Sequence, residues 1–343
     1  MFDKPPDRRK EALRLQITFI NVGYGDAILI QKGAFTLLVD GGSTLPQEFE
    51  GFPDRIPARD FLAAQGISRI DLAVLSHIHE DHTCGLADIA AHFPIGAIAL
   101  PCQPDVLRGV QRLKPNAQAA RSVPLFTKAL HDAEQIVNLA ENRGIPVHTL
   151  RCGDVLTPVN GLRIEVLAPP EPVTNDFEAQ IVQAGRQDDP TPALTQLDRT
   201  SNDTSLVLKV TDGKLCCLLP GDNCPHNWNH IDFSLLENVN VLKLPHHGQI
   251  DSIDPKIVQK MPLQAIITTA SSDRRYNSAN PEVYRVLRDI HPDAQLLFTD
   301  ERAYPPYFSN PHGAQAVTLR MNCGLIQTEW MKMNSTEEKE KKP

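Results

Sequence analysis

Four potential metal ligands fall within the six residues His77-Ile78-His79-Glu80-Asp81-His82, directly after Ser76 and the apolar run Leu72-Ala73-Val74-Leu75. In an extended segment side chains repeat every two residues, so His77 and His79 leave the backbone on the same side and can grip one ion from one face. Asp81 and His82 follow as the chain turns. Neutral imidazole with carboxylate is a ligand set for zinc, or for manganese or iron as the carboxylate share grows, and the acidic group helps to hold a second divalent ion beside the first. The period of two differs from the helical H-E-x-x-H arrangement and argues against the helical zinc proteases. Three further strand ends carry residues able to do chemistry: Asp40-Gly41-Gly42, Pro220-Gly221-Asp222 and Pro245-His246-His247-Gly248. In α/β architectures strand ends present side chains to a shared cleft. Asp222 could bridge two ions there, and His246 or His247 could complete the shell of the second. Each turn alone is commonplace; combined with the histidine cluster, in this order, they form a constellation.

These residues need a sheet to carry them. Leu15–Ile20, Ala27–Gln31 and Phe35–Val39 read as three opening strands, the first two joined by the glycine-bearing turn Asn21-Val22-Gly23-Tyr24-Gly25-Asp26. Gly23 and Gly25 have neither a third glycine nor a following helix, so a dinucleotide fingerprint is not indicated. A helix is predicted around Ala58–Gln65 before the histidines, and another over Leu86–His92 after them. Residues 104–143 turn helical, with Val106, Val110 and Leu113 on one face and Leu130, Ile136, Val137 and Leu139 in a longer segment. Strands resume at Leu162–Leu167, Ser205–Val210, Leu215–Leu219, Asn240–Leu244 and Ala265–Thr269. Thr174–Thr200 is polar, acidic and proline-containing, and is expected to be a long surface loop or short helix, where a substrate lid would sit.

Composition sets the frame. The 343 residues suit one α/β enzyme domain over 1–333 with a charged, disordered tail over 334–343. Hydrophobic residues make up 41%, enough for a sizeable core, yet no apolar run approaches the roughly 20 residues needed to cross a membrane. The N-terminus shows no secretory signal pattern, so a cytoplasmic location is expected. Seven unevenly placed cysteines, with Cys216-Cys217 inside an apolar strand, point to reduced thiols. The net charge of −8 gives no overall attraction to nucleic acid, though a local basic groove stays compatible with it. Oligomeric state is not read from these features. His92, His131, His148, His291 and His312 are isolated and are read as surface or core residues; Cys224 and His226 follow Asp222 closely enough to raise an alternative metal role, with a loop reading preferred; and Lys243 is read as a surface or sheet-edge residue.

Taken together, Asn21–Ala27, Val39–Gly42, His77–His82, Asn202–Val207, Leu219–Asp222 and Val241–Gly248 resemble the metallo-β-lactamase superfamily, and within it the soluble domain of ComEC-type competence proteins. The likeness runs from about Leu15 to Asp300. It implies an αββα sandwich with a two-metal cleft, His77 and His79 on one ion, Asp81 and His82 on the other, and Asp222 bridging. Asp40 is then expected to orient a ligand histidine. His246 is the preferred reading for the second ion, with His247 and Asp81 counted as catalytic and His247 contacting an oxyanion or protonating a leaving group. Arg274-Arg275-Tyr276 resembles a segment of the family and could bind phosphate through arginine forks. The chain departs from the wider pattern at Ser201-Asn202-Asp203-Thr204, where many members supply a further histidine, at Cys84 and at Gln249. The family's membrane segments have no counterpart here. The resulting expectation is a hydrolase with two divalent ions, zinc or manganese, that activate hydroxide against a phosphodiester such as nucleic acid or a nucleotide. The alternatives are a lactone, ester or β-lactam hydrolase, or a non-catalytic metal-binding sensor.

Overall fold

The computed structural model describes residues 14–300, 303–304, 307–309, 313–322 and 324–332; the charged tail and His312 lie outside them. Strands β1 (Gln16–Ile20), β2 (Ile28–Lys32) and β3 (Phe35–Val39) form an antiparallel meander. Parallel pairing continues it through β4 (Leu72–Val74), β5 (Ile98–Leu100) and β6 (Val147–Thr149). A second sheet contains β7 (Val155–Leu156), β8 (Leu162–Ala168), β9 (Val207–Asp212), β10 (Leu215–Leu219), β11 (Val241–Lys243), β12 (Ala265–Thr268) and β13 (Gln295–Phe298). After a small hairpin, β14 (Ala303–Tyr304) and β15 (Phe308–Ser309), the chain returns through β16 (Ala316–Asn322) and β17 (Leu325–Met331) to the free edge of β1. The sheet orders are β17-β16-β1-β2-β3-β4-β5-β6 and β13-β12-β11-β10-β9-β8-β7.

Period-two alternation sorts these strands into four layers. Ile17, Phe19, Ile28, Ile30, Leu37 and Val39 meet Ile164, Val166, Leu208, Val210, Cys217 and Leu219 in a core between the sheets. Their alternates, Ile20, Leu29 and Leu38, face the opposite way into a core with Phe61, Leu86, Phe126, Leu130, Phe177 and Leu194. Those residues come from helices α1 (Ala58–Ala64), α2 (Glu80–His92), α3 (Ser122–Arg143), α4 (Glu171–Ala184) and α5 (Thr191–Thr200). On the far side Leu218, Leu242 and Ile266 pack with Ile257, Tyr284 and Leu287 of α6 (Pro255–Val258) and α7 (Pro281–Ile290). The fold is therefore an αββα sandwich, as expected.

Two local expectations change. Thr174–Thr200 is largely helical rather than a surface loop: Phe177, Ile181 and Ala184 form one buried stripe and Leu194 and Leu197 another. With about one apolar residue per turn, these stripes are too thin to stand out in a polar segment. Helix α2 also begins at Glu80 rather than near Leu86, so Asp81 and His82 occupy its first turn. Among the described residues no helix is long and apolar enough to cross a membrane, and six cysteines are free.

Candidate metal centre

The end of β3 and the start of α2 are pressed together. Gly41 N–H donates to the His82 carbonyl at 2.9 Å and Gly85 N–H to the Gly42 carbonyl at 2.8 Å. A Cβ on Gly85 would lie 1.9 Å from the Gly41 oxygen, so only glycine permits this approach. The contact brings Asp40 under the histidine segment. Its Oδ1 accepts from Ser76 N–H at 2.7 Å, and its Oδ2 accepts from the Ser76 hydroxyl at 2.6 Å and from His82 Nδ1 at 2.9 Å. With Nδ1 so committed, His82 turns Nε2 toward Asp222 Oδ2 at 3.5 Å and Asp81 Oδ2 at 3.6 Å.

The second sheet closes the group. Asp222 follows β10, and His247 lies in the loop after β11 with a left-handed φ of 54°. His247 Nδ1 donates to the Thr269 carbonyl at 2.7 Å, which leaves Nε2 facing Asp81 Oδ2 at 3.1 Å and Asp222 Oδ2 at 3.2 Å. One ligand atom each from Asp81, His82, Asp222 and His247 lies within 4.8 Å of all the others. Next to it, His77 Nε2 is 3.1 Å from His79 Nδ1 and 3.9 Å from Asp222 Oδ2.

Three buried atoms here, His82 Nε2, His247 Nε2 and Asp222 Oδ1, make no well-formed hydrogen bond and face only the charged groups around them. Buried polar groups ordinarily find partners, and unpaired buried charge is costly. Two imidazole nitrogens aimed at two carboxylates, with their outer nitrogens already used, fit a divalent cation. The protonation tendencies agree. Burial opposes a proton on His247, yet Asp222 and Asp81 push its pKa up to about 9. Burial and the neighbouring His82 hold His77 well below its usual value.

Residues 20–101 match the metallo-beta-lactamase superfamily.

The matched segment includes Asn21–Asp26, Asp40 and His77–His82. The chain is also 24% identical, over 324 residues, to ComE operon protein 3 of Bacillus subtilis; the alignment covers 85% of this chain and 34% of that relative, so the chain spans about a third of its length. Among solved structures it is similar to the metallo-beta-lactamase fold protein YhfI of Bacillus subtilis, with 13% identity, TM-score 0.46 and coverage of 83% and 97% of the two chains. It is likewise similar to Igni18, a metallo hydrolase of Ignicoccus hospitalis, with 12% identity, TM-score 0.45 and coverage of 90% and 100%.

Outside the region matched to the metallo-beta-lactamase superfamily, the structure rearranges several expected roles. His247, not the preferred His246, reaches the group with Asp81 and His82. His246 stands to one side, its Nε2 within 3.1 Å of Asn202 Nδ2 and 3.0 Å of Gln249 Nε2, its Nδ1 3.4 Å from Asp251 Oδ1. Cys224, His246 and Asp251 thus form a separate small group, which His226 does not join. Asp203 is turned away, bonded to Asn227 at 2.7 Å, whereas the Asn202 Oδ1 is buried without a partner. Lys243 is neither at the surface nor at a sheet edge. It is 0% exposed on a central strand, and its Nζ lies 2.5 Å from Asp26 Oδ2 and donates to the Gly221 carbonyl at 3.0 Å.

Asp26, quoted only as part of a turn, is therefore a component of the site floor, fixed also by the Thr269 hydroxyl at 2.5 Å. Asp198 carried no signal at all in the sequence. From α5 its backbone carbonyl meets His79 Nε2 at 3.1 Å and its carboxylate lies 3.4 Å away. Arg275 is not a free fork, because Glu48 and Asp273 take its guanidinium. Arg274 Nε donates to the Ser278 carbonyl at 3.4 Å. A cleft of about 360 Å³ opens above the group, walled by Tyr24, Glu48, His79, Asp81, Asp222 and Tyr276.

Proposed function

We propose that this chain is a metal-dependent phosphodiesterase acting on nucleic acid or a nucleotide. The observation that carries the reading is the quartet Asp81, His82, Asp222 and His247, gathered within 4.8 Å beside His77 and His79, with Asp81 and Asp222 lining an open cleft. His77 Nε2 and His79 Nδ1 would hold one zinc or manganese ion, Asp81, His82 and His247 a second, with Asp222 between them. When bound, such ions lower the pKa of water and stabilise charge on attacking and leaving oxygens.

The protein's own residues prepare that chemistry. Asp40 and the Thr269 carbonyl fix His82 and His247 in the tautomer that leaves Nε2 as a lone pair. Lys243, 3.6 Å from Asp222 Oδ1, balances part of the buried negative charge and holds the Gly221–Asp222 turn by its carbonyl. Tyr24 packs its ring 4.4 Å from that of His247 and walls the cleft against water from one side. The supporting feature for a phosphodiester over a β-lactam is Asn202 in the place where an imidazole would hold the His77/His79 ion more tightly. A carboxamide leaves room for oxygen donors such as phosphate, and favours manganese.

The test is to strip the protein, reload it separately with zinc and manganese, and compare turnover of bis(p-nitrophenyl) phosphate and single-stranded DNA with that of nitrocefin. Phosphodiester cleavage, faster with manganese, is the expected result. Nitrocefin or lactone hydrolysis without phosphodiester cleavage would replace this reading by the other hydrolase chemistry, and metal binding without any turnover by a sensor.

A further inference from the structure

Among the described residues Tyr276 is the one large apolar side chain that is both well exposed, at 66%, and part of the cleft wall. It is held there by construction. Arg274, Tyr276, Asn277 and Ala279 all adopt positive φ, between 46° and 61°, a conformation non-glycine residues keep only when their surroundings enforce it. The enforcement comes from the metal-ligand loop itself: Ala279 N–H donates to the His247 carbonyl at 3.0 Å and Asn280 N–H to the Gly248 carbonyl at 2.9 Å. Glu48 adds a second clamp. One carboxylate oxygen takes Arg275 and the other accepts Tyr24 N–H at 3.2 Å, so the two tyrosine-bearing loops are tied through one buried side chain. The rings follow in sequence outward from the metal group: His247 to Tyr24 at 4.4 Å, then Tyr24 to Tyr276 at 5.2 Å in an edge-on contact.

We propose that Tyr276 is a stacking platform for the nucleobase next to the scissile phosphodiester, so that the substrate is a nucleotide ester or single-stranded nucleic acid rather than phosphodiesters at large. This rests on the phosphodiesterase reading above. The guanidinium of Arg275 is consumed by Glu48 and Asp273, so what the loop offers a ligand is the aromatic ring, not a phosphate fork. Every base has a π-face, so such a platform binds without sequence preference. Bases inside a duplex stack on one another and cannot reach it, which selects single strands and ends.

The experiment compares thymidine 5′-(p-nitrophenyl) phosphate with methyl p-nitrophenyl phosphate, which has the same leaving group and no base. In Tyr276→Ala the KM for the thymidine ester should rise roughly 5- to 100-fold and that for the methyl ester by far less, while Tyr276→Phe and Tyr276→Trp keep the wild-type KM. No loss, or the same loss on both esters, would overturn the stacking role. A short phosphorothioate single strand carrying 2-aminopurine gives a readout independent of turnover. Its fluorescence should be quenched by wild type and Tyr276→Phe and not by Tyr276→Ala, and equal quenching by all three would likewise overturn it. If wild type cleaves neither ester with either metal, the phosphodiesterase reading falls, and the quenching measurement alone decides the subsite.

Discussion

Around Asp81, His82, Asp222 and His247, each imidazole is steered by a residue of the sandwich core: Asp40 at the end of β3 for His82, the carbonyl of Thr269 after β12 for His247. Around His77 and His79 the supports are of two kinds. The Ser76 hydroxyl already donates to Asp40 and so accepts from His77 Nδ1 at 3.1 Å, a contact as deep in the core as the others. His79 instead leans on Asp198 of helix α5 and keeps 18% of its side chain exposed. Asn202, whose Nδ2 meets His246 Nε2 at 3.1 Å, stands without a partner for Oδ1. The quartet is therefore oriented throughout from the sandwich core, while in the other pair only His77 is, and His79 rests on a helix of the outer layer. The first should hold its ion tightly; the second should exchange it.

Asp222 belongs to both halves, so altering it should do the most damage. Asp222→Asn keeps the shape and removes the charge, and activity should fall by more than the roughly 10- to 100-fold typical of losing an outer partner of a metal ligand. Folding should survive, as read by circular dichroism. A fully metallated Asp222→Asn protein with near-wild-type turnover would show that the two halves do not share this carboxylate.

Asp40→Asn comes next and tests mainly the stiff half, reaching His77 only indirectly through the Ser76 hydroxyl. An amide cannot accept from Ser76 N–H, the Ser76 hydroxyl and His82 Nδ1 with both of its ends, so His82 loses its orientation. Metal affinity at the Asp81/His82/His247 position should drop roughly 10- to 100-fold, measured by competition with a chelator. Equal weakening of both ions would mean that the halves are not separable.

Much of this arrangement was legible in the chain, and the illegible parts have identifiable causes. His77 and His79 could be paired because an extended segment has a fixed period, and the order of strands and helices followed from apolar periodicity, whereas the αββα sandwich was implied by the family resemblance. The choice between His246 and His247 could not be made that way. Both sit at left-handed φ, 47° and 54°, in a loop where neither strand nor helix periodicity applies. Lys243 was misplaced because a charged residue at the end of a strand normally marks an edge; here its partner Asp26 is supplied by a turn far away in sequence, and only the packed sheets bring the two together. Asp198 was invisible for a related reason, being one polar residue in a polar segment whose helices are fixed by a thin apolar stripe.

Proton and metal should compete at the stiff half. In the metal-free protein His247 has its pKa raised to about 9, above the roughly 6.5 of an unfolded histidine. A raised folded-state value contributes stability that is complete below about pH 6.5 and is lost as pH rises through about 9. The melting temperature of the stripped protein should therefore decline across that window. The loaded protein should show no such decline, because the ion takes the place of the proton, and its metal affinity should increase with pH over the same range. A flat pH profile for the stripped protein would remove His247 from the charged group.

The smallest effect should come from Asp198→Ala, and it bears most directly on the contrast between the halves. The carbonyl that meets His79 Nε2 belongs to the backbone and survives the change; only the carboxylate at 3.4 Å, and its bond from the Ser122 hydroxyl at 2.6 Å, are lost. Losing Ser122 loosens the tie between α5 and the start of α3 without touching the β-sheet core, so thermal stability should change by only about 1 kcal/mol. His79 would retain its tautomer but gain freedom to rotate. Under partial chelation the variant should release one ion per chain faster than wild type while the second ion leaves at the wild-type rate. Should both ions leave faster together, helix α5 would be supporting the whole centre and not one half of it, and the division drawn from Asp40, Thr269 and Asp198 would fail.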